Sequence, residues 1–374
     1  MDSGETTASH PSTLRNLTRA SCRIAAEADP IRALSHLLAV LRQDLGIDRA
    51  GVFAFDREER RLERVAGVDR SGRPEYDGES FSLDSGDSPL VRVATRELPY
   101  YLTDNAPRDF PNSLFSPGVR AHAVIPIIAG DELLGILCLD NCLSGRPIPE
   151  AIVEWLFLYA GLAALPLFAL YQKRERERTE RVRWLLLRSI FSAVTSCKVQ
   201  LCTQAEIRAE WPALEAQQVL EIRTVEDIPP ARQRVREAAL AAGMDMDRAR
   251  DFELCAAEAA TNALLHGKGG FAVVACEEGR LRFRVVDCGG GISLDDLPGA
   301  TLQPGWSKRR SMGLGFTLIN ETADRVYLYT GGDGTTLIIE MAVQPGVNLP
   351  EECNPLLWGE AFSLETAAHA SELR

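Results

Sequence analysis

The chain has 374 residues, enough for two domains of ordinary size with connecting segments. Apolar residues make up 45% of the sequence and charged residues 25%, a composition typical of soluble globular proteins. The formal net charge of −12 argues against nucleic acid as the main partner, because a duplex-binding protein needs a basic surface. It does not argue against phosphate-bearing ligands, since an acidic protein can contain a basic pocket.

The compartment is predicted from the cysteines and the apolar segments. The 9 cysteines are scattered without a Cys-x-x-Cys pair, and their odd number closes no disulfide set, which favours a reducing cytoplasm. The first residues lack the apolar stretch of a signal peptide. Residues 155–171 carry no charge, but we interpret them as the closing helix of a soluble domain and expect no membrane partner.

In chain order, residues 1–27 are rich in Ser, Thr and charge and are predicted to be a disordered arm. Apolar residues between Ile31 and Leu45 recur at helical spacing, and residues 149–172 form a second, long helical pattern. Between them lie five strand-like segments, at residues 49–55, 62–68, 99–102, 122–128 and 133–139. This order predicts an α+β domain with an antiparallel sheet over residues 28–172.

Residues 173–217 are predicted to be a helical linker followed by an ambiguous connector. Residues 173–187 alternate in charge sign, as in a solvated or coiled-coil helix. Residues 194–201 suit a short strand and residues 205–215 a helix, and neither has an assigned role. The acidic tail, residues 345–374, has no assigned role either.

The second domain, residues 218–344, opens with a strand and a helix that follows Pro229-Pro230. Its second helix, residues 247–265, is predicted to end at Gly267 as a C-cap. On that helix Glu258, Asn262 and His266 recur every four residues and share one face. Such polar groups are costly if buried without partners, so this face is either solvated or part of a binding site.

A hairpin at residues 271–276 and 281–286 brings Asp287 to the end of a strand. Gly289, Gly290 and Gly291 follow and allow the backbone to approach a ligand closely. An irregular segment comes next and contains three cations, Lys308, Arg309 and Arg310. Either the segment is a flexible lid whose cations neutralise phosphate charge, or it is a solvated basic loop.

After this segment, Gly313-Leu314-Gly315 opens a helix that reaches about residue 323. Glycine-rich backbone at a helix N-terminus is an anion site, because free N–H groups and the helix dipole both favour phosphate. A last hairpin carries Thr335 and Thr336 at the start of its second strand.

These features in this order resemble the GHKL ATPases, which include gyrase-type, chaperone, mismatch-repair and histidine-kinase ATP-binding domains. The resemblance implies a Bergerat α/β sandwich that binds ATP and Mg²⁺. Within that superfamily the chain is most similar to the anti-sigma-factor serine kinases, on four segments: Pro230-Ala231-Arg232, Glu258-Ala259-Ala260-Thr261-Asn262-Ala263 with His266-Gly267, Gly313-Leu314-Gly315-Phe316, and Asp324-Arg325-Val326.

The resemblance also implies roles. Asn262 would hold Mg²⁺, Glu258 would act as general base, and Asp287 would accept a hydrogen bond from the adenine amino group. The remaining implied nucleotide contacts are His266, Gly289, Gly291, Lys308, Arg309, Gly313, Leu314, Gly315, and Thr335 or Thr336.

Residues 28–172 resemble a GAF domain, on Arg49-Ala50-Gly51-Val52-Phe53-Ala54-Phe55-Asp56 and on the run from Leu134 to Asn141. Such a domain implies a small-molecule signal and a homodimer. The overall expectation is an α+β protein with a GAF-like sensor, a helical linker and a GHKL ATP-binding domain.

Three functions fit these expectations. A serine/threonine protein kinase acting on a sigma factor or an anti-sigma antagonist needs only the pocket, a base and a partner. An atypical sensor histidine kinase needs a phosphoacceptor histidine ahead of the ATP domain, and none of the 5 histidines lies between residues 123 and 265. The third function is an ATP-dependent partner switch without phosphotransfer, which the presence of Glu258 disfavours.

Overall fold

The protein is described from a computed structural model, which covers residues 10–69, 71, 73–75, 78–84, 88–109, 119–210, 219–306 and 313–344. The chain divides into two compact units between Glu177 and Arg178. The predicted acidic tail lies outside the described residues.

The first unit contains one antiparallel sheet with helices. Its strands are β1 (Arg49–Asp56), β2 (Arg61–Val68), β3 (Pro74–Glu75), β4 (Ser80–Ser82), β5 (Tyr101–Thr103), β6 (His122–Ala129) and β7 (Glu132–Asp140). Its helices are α1 (His10–Ala26), α2 (Pro30–Leu45), α3 (Pro89–Ala94), α4 (Ala106–Asp109) and the first part of α5 (Val153–Val194). The strand order is β3-β2-β1-β7-β6-β5, with β4 beside β2, and it confirms the predicted antiparallel α+β architecture.

Helix α1 corrects the prediction of a disordered arm. Residues 10–26 are helical, and Leu17, Ala20 and Ile24 are buried in the same core as Leu34 and Leu38 of α2. Those three residues are spaced by three and four and therefore share one helix face. The polar composition of the segment hid this short apolar stripe.

Helix α5 runs unbroken to Val194, although Pro166 lies inside it. It therefore joins the predicted closing helix, residues 149–172, to the predicted helical linker that follows. In the described part of the chain, Glu150–Val194 is the one helix long and apolar enough to cross a bilayer. One of its faces, however, is buried in the core of the first unit through Leu156, Ala163 and Leu167. This pattern fits the core helix of a soluble protein.

The second unit contains a mixed sheet. Its strands are β8 (Val199–Leu201), β9 (Leu220–Ile222), β10 (Gly270–Glu277), β11 (Arg280–Asp287), β12 (Arg325–Gly331) and β13 (Gly334–Ala342), in the order β8-β12-β13-β11-β10-β9. Among the described strands of this sheet, only β8 pairs in parallel, with β12. Its helices are α6 (Gln204–Glu210), α7 (Ile228–Ala241), α8 (Met246–Gly267), α9 (Leu297–Leu302) and α10 (Gly315–Thr322).

The connector is part of this second unit, which corrects the predicted domain start at residue 218. Val199 and Leu201 of β8 and Phe191 of α5 are buried in the core of the unit. Because β8 hydrogen-bonds to β12, the sheet is incomplete without residues that precede position 218.

The two faces of this sheet are covered differently. On one face, Phe252 of α8 packs with Phe283 and Ile339 in the main core of the unit. On the other, Ile207 of α6 packs on Tyr327 and Ile338 in a smaller cluster. Residues that alternate along β11 and β13 therefore face two separate environments.

Seven of the described cysteines are free thiols, and the expected reducing compartment stays a prediction.

Candidate functional site

Helix α8 carries the polar face identified in the sequence. The helix begins after Asp245, whose side chain accepts hydrogen bonds from the N–H groups of Asp247 and Arg248, each at 3.1 Å. Glu258 and Asn262 are half-buried, and neither forms a hydrogen bond or ion pair with the described residues. Both side chains are therefore available to a ligand.

Asp287 is held at the end of β11 through one carboxylate oxygen. Its Oδ1 accepts hydrogen bonds from the N–H groups of Gly289 and Thr335, both at 2.9 Å. No donor in the described part of the chain reaches Oδ2. The carboxylate thus has a fixed orientation and one oxygen left to accept a hydrogen bond from a ligand.

The end of α8 passes directly over Asp287, and Gly267 permits this approach. A Cβ atom at position 267 would lie 2.2 Å from both Cβ and Cγ of Asp287. The helix continues through Gly267, and the left-handed residue after it is Lys268, with φ 60°. The predicted C-cap role of Gly267 is therefore wrong, and the residue is small because helix and strand meet there.

The N-terminus of α10 meets the polar face of α8. Gly313 has a φ of +64°, a conformation that glycine adopts without strain, and α10 begins two residues later at Gly315. A Cβ atom at position 315 would lie 2.8 Å from Oε2 of Glu258 and 3.3 Å from Nδ2 of Asn262. The Glu258 carboxylate and the Asn262 carboxamide thus both lie next to Gly315, at the N-terminus of α10.

These elements enclose a cavity of about 290 Å³. Helix α8, strands β11 and β13, and the segments after β11 and before α10 all contribute to its wall. Most of the predicted site residues line this cavity: Asn262, His266, Asp287, Gly291, Gly313, Gly315 and Thr335.

Four predicted residues do not line the cavity. Glu258 lies beside it, against Gly315, and Gly289 takes part through its N–H donor to Asp287. Leu314 does not line it because its side chain is exposed. Thr336 is buried on the opposite face of β13 from Thr335, since neighbouring strand residues alternate. The predicted cations Lys308 and Arg309, together with Arg310, lie outside the described residues.

The cavity also contains residues that the sequence analysis missed. Trp306 lines it and packs on Gly299, where a Cβ atom would lie 2.7 Å from the indole Nε1. Val285 and Leu337 form apolar wall, and the alternation along β11 and β13 could have indicated both. Trp306 stands alone as an aromatic residue in an irregular segment, and this was the one feature of the sequence that could have indicated its place in the cavity.

The arrangement suits a ligand with an apolar body, a hydrogen-bond donor and an anionic end. Apolar walls with a few convergent polar groups are typical of small-molecule sites. Asp287 provides an acceptor on one side, whereas the start of α10 provides the positive end of a helix dipole. Asn262 and Glu258 lie by that helix start, where an anionic group and its cation would bind.

The chain matches two families. Residues 223–341 match the histidine kinase-like ATPase domain, and residues 29–167 match the GAF domain. The protein therefore contains a GAF domain followed by a histidine kinase-like ATPase domain, as the two resemblances, to a GAF domain and to GHKL ATPases, implied. The cavity described above lies within the ATPase domain.

Several solved GAF-domain structures are similar to part of this chain. The GAF domain of an Acinetobacter phosphoenolpyruvate-protein phosphotransferase is 14% identical, with a TM-score of 0.36, over 44% of this chain and 98% of that one. The GAF domain of a Coxiella burnetii phosphoenolpyruvate-protein phosphotransferase is 20% identical, with a TM-score of 0.38, over 46% of this chain and 99% of that one. A methyl-accepting chemotaxis protein is 23% identical, with a TM-score of 0.35, over 40% of this chain and 95% of that one. No curated protein matches this chain.

Proposed function

We propose that this protein is a cytoplasmic signalling regulator in which a GAF sensor controls a Mg-ATP-dependent serine/threonine protein kinase of the anti-sigma-factor type. The observation that carries the proposal is the convergence of Glu258 and Asn262 on Gly315 at the start of α10. A carboxylate, a carboxamide and a helix N-terminus at one point are the groups that transfer of a phosphoryl group needs.

In this proposal, Asp287 selects adenine. Its Oδ2 would accept a hydrogen bond from the amino group of the base, while Oδ1 stays bound to two backbone N–H groups. Of the two threonines, Thr335 supports this role, because its backbone N–H group donates a hydrogen bond to Oδ1 of Asp287. The match to a histidine kinase-like ATPase domain supports ATP as the nucleotide.

Asn262 would coordinate Mg²⁺ through its side-chain oxygen, and the cation would bridge to the phosphates bound at Gly313 and Gly315. Glu258 would accept the proton of the attacking hydroxyl group. Both side chains suit these roles, because neither is engaged by another described residue.

The absence of histidine between residues 123 and 265 supports transfer to another protein rather than to this chain. The partner we propose is a sigma factor or an anti-sigma antagonist that presents a serine or threonine. The GAF domain would receive a small-molecule signal and support a homodimer, and α5 carries the chain from one unit to the next.

The test is phosphoryl transfer from γ-labelled ATP with Mg²⁺ and purified candidate antagonist proteins. The chain is compared with Glu258→Gln and with a control, Glu237→Gln, at an exposed glutamate of α7. We expect label on a serine or threonine of the partner, with a loss of about 100-fold or more in Glu258→Gln and no change in the control.

Two results would contradict the kinase. Label on a histidine of this chain would make it a histidine kinase. If ATP binding releases the partner without phosphoryl transfer, and Glu258→Gln does not change that release, the protein is a partner switch.

A further inference from the structure

A second cavity lies in the ATPase unit, on the opposite face of the sheet from the candidate nucleotide site. Its volume is about 210 Å³, and its walls include Arg284 of β11 and Thr336 of β13. Their sequence neighbours Val285 and Thr335 line the nucleotide cavity. Because strand residues alternate, Arg284 and Thr336 lie on the opposite face of the sheet from Val285 and Leu337, whereas Asp287 and Thr335, at the ends of their strands, line both cavities.

Arginines recur along this face of β11, and two of them have a carboxylate partner. Arg280 and Arg282 both bind Glu340 of β13, at 3.2 and 2.7 Å, and Glu340 is fully buried. Arg284 is two residues further along. Its cross-strand neighbours are Ile338 on β13 and Val273 on β10, so the sheet offers it no carboxylate.

Arg284 is half-buried, and its Nε has no hydrogen-bond partner in the described part of the chain. Burial lowers the pKa of its guanidinium group, with no compensating charge nearby. A cation withdrawn from water without an opposite charge costs free energy. A group perturbed by burial in a cavity is a candidate for a binding site.

Thr336, on the adjacent strand, is buried as well, and its hydroxyl group forms no hydrogen bond with the described residues. The exposed Arg208 of α6 adds a second cation to the wall of the cavity. Arginine has only donors, and a hydroxyl group can donate, so Arg284 and Thr336 present unsatisfied donors to this cavity.

The carboxylates around this cavity are already engaged. Asp333 accepts hydrogen bonds from Nε2 of Gln204 at 2.8 Å and from the hydroxyl group of Tyr329 at 2.6 Å. Asp287 is held through Oδ1, and its Oδ2 faces Gly267 of α8 on the other side of the sheet. These donors are neutral, so both carboxylates keep their charge, but the charge of Asp333 acts on Arg208, and burial alone shifts the pKa of Arg284.

We propose that this cavity is a binding site for a small oxyanion, a carboxylate or a phosphate group, which is held by the guanidinium group of Arg284 and the hydroxyl group of Thr336. A guanidinium fork matches two oxygens of such a group.

The test is calorimetric titration of the nucleotide-free full chain with inorganic phosphate at constant ionic strength. The variants are Arg284→Met, Arg284→Lys, Asn262→Ala in the nucleotide cavity, and the control Arg234→Met at an exposed, ion-paired arginine of α7. We expect Arg284→Met to weaken phosphate binding about 10- to 150-fold, the range of a charged hydrogen bond. Arg284→Lys keeps the charge but not the guanidinium fork, so its phosphate affinity should lie between those of the wild type and Arg284→Met. Asn262→Ala and Arg234→Met should bind phosphate as the wild type does.

A parallel titration with acetate separates the two oxyanions, and Arg284-dependent binding of either supports the site. In phosphate-free buffer, Arg284→Met should unfold at the same denaturant concentration as the wild type or a higher one, because it removes an uncompensated charge. Phosphate binding lost in Asn262→Ala but kept in Arg284→Met would place the anion in the nucleotide cavity and overturn the proposal. Equal binding in the wild type and both Arg284 variants, or binding of neither anion, would overturn it too.

Discussion

The substitution Asp287→Asn tests the orientation of the carboxylate. Asparagine can keep the oxygen that accepts the N–H groups of Gly289 and Thr335, both 2.9 Å from Oδ1, so the fold should be retained. Its amide nitrogen would then replace Oδ2, and a donor would face the amino group of adenine. Loss of one hydrogen bond to a charged acceptor costs about 1.5–3 kcal/mol, which corresponds to about 10- to 150-fold weaker ATP binding.

The base preference should change in the same variant. Guanine has an acceptor oxygen where adenine has its amino group, so the amide of Asp287→Asn can donate to it. Equilibrium titration of the wild type and the variant with ATP and GTP measures both affinities. We expect ATP affinity to fall and the ratio of GTP to ATP affinity to rise. An equal loss for both nucleotides, or an unchanged ATP affinity, would refute the assignment of Asp287 to the adenine base.

Three further predictions concern single residues. Gly267→Ala places a Cβ atom 2.2 Å from Asp287, so we expect a loss of about 1–3 kcal/mol in urea unfolding, together with weaker ATP binding. Asn262→Ala should remove the dependence of ATP affinity on Mg²⁺, measured by titration with and without EDTA. His122 is buried, and burial lowers its pKa from 6.5 to about 4, so the unfolded state takes up a proton first as the pH falls below 6.5. Between pH 7 and pH 5 the free energy of unfolding should therefore fall by about 2 kcal/mol through this residue, and His122→Gln should flatten that slope in denaturant titrations.

The first two of these predictions have a control within the chain. Gly161→Ala makes the same change in α5, where a Cβ atom meets nothing within 4 Å, and it should not lower stability. Leu265→Ala changes an exposed residue of the same helix as Asn262 and should leave the effect of Mg²⁺ intact. The reasoning fails if Gly267→Ala behaves like Gly161→Ala, if Mg²⁺ still strengthens ATP binding to Asn262→Ala, or if His122→Gln keeps the wild-type pH slope.

The sequence predicted the elements whose patterns are local and long. Glu258, Asn262 and His266 stand out because a helix repeats every 3.6 residues, and α8 is 22 residues long. The hairpin of β10 and β11 was predicted from two runs separated by a polar turn, as was the helix that starts at Gly315.

The features that were missed depend on contacts between distant segments. The sequence indicated a short strand at residues 194–201, and β8 lies there, but its place in the second sheet was missed because it depends on pairing with β12 more than a hundred positions later. The role of Gly267 follows from the approach of α8 to Asp287, which no local pattern encodes. Arg284 reads in the sequence like its neighbours Arg280 and Arg282, and only the register of β11 with β13 shows that it lacks their carboxylate.

The most direct test of the ATP site is a crystal structure of the full chain with Mg²⁺ and a non-hydrolysable ATP analogue. The account predicts the base amino group within hydrogen-bond distance of Asp287 Oδ2, the phosphates at the N-terminus of α10 by Gly315, and Mg²⁺ on the side-chain oxygen of Asn262. A nucleotide bound elsewhere, or a cation without contact to Asn262, would contradict it.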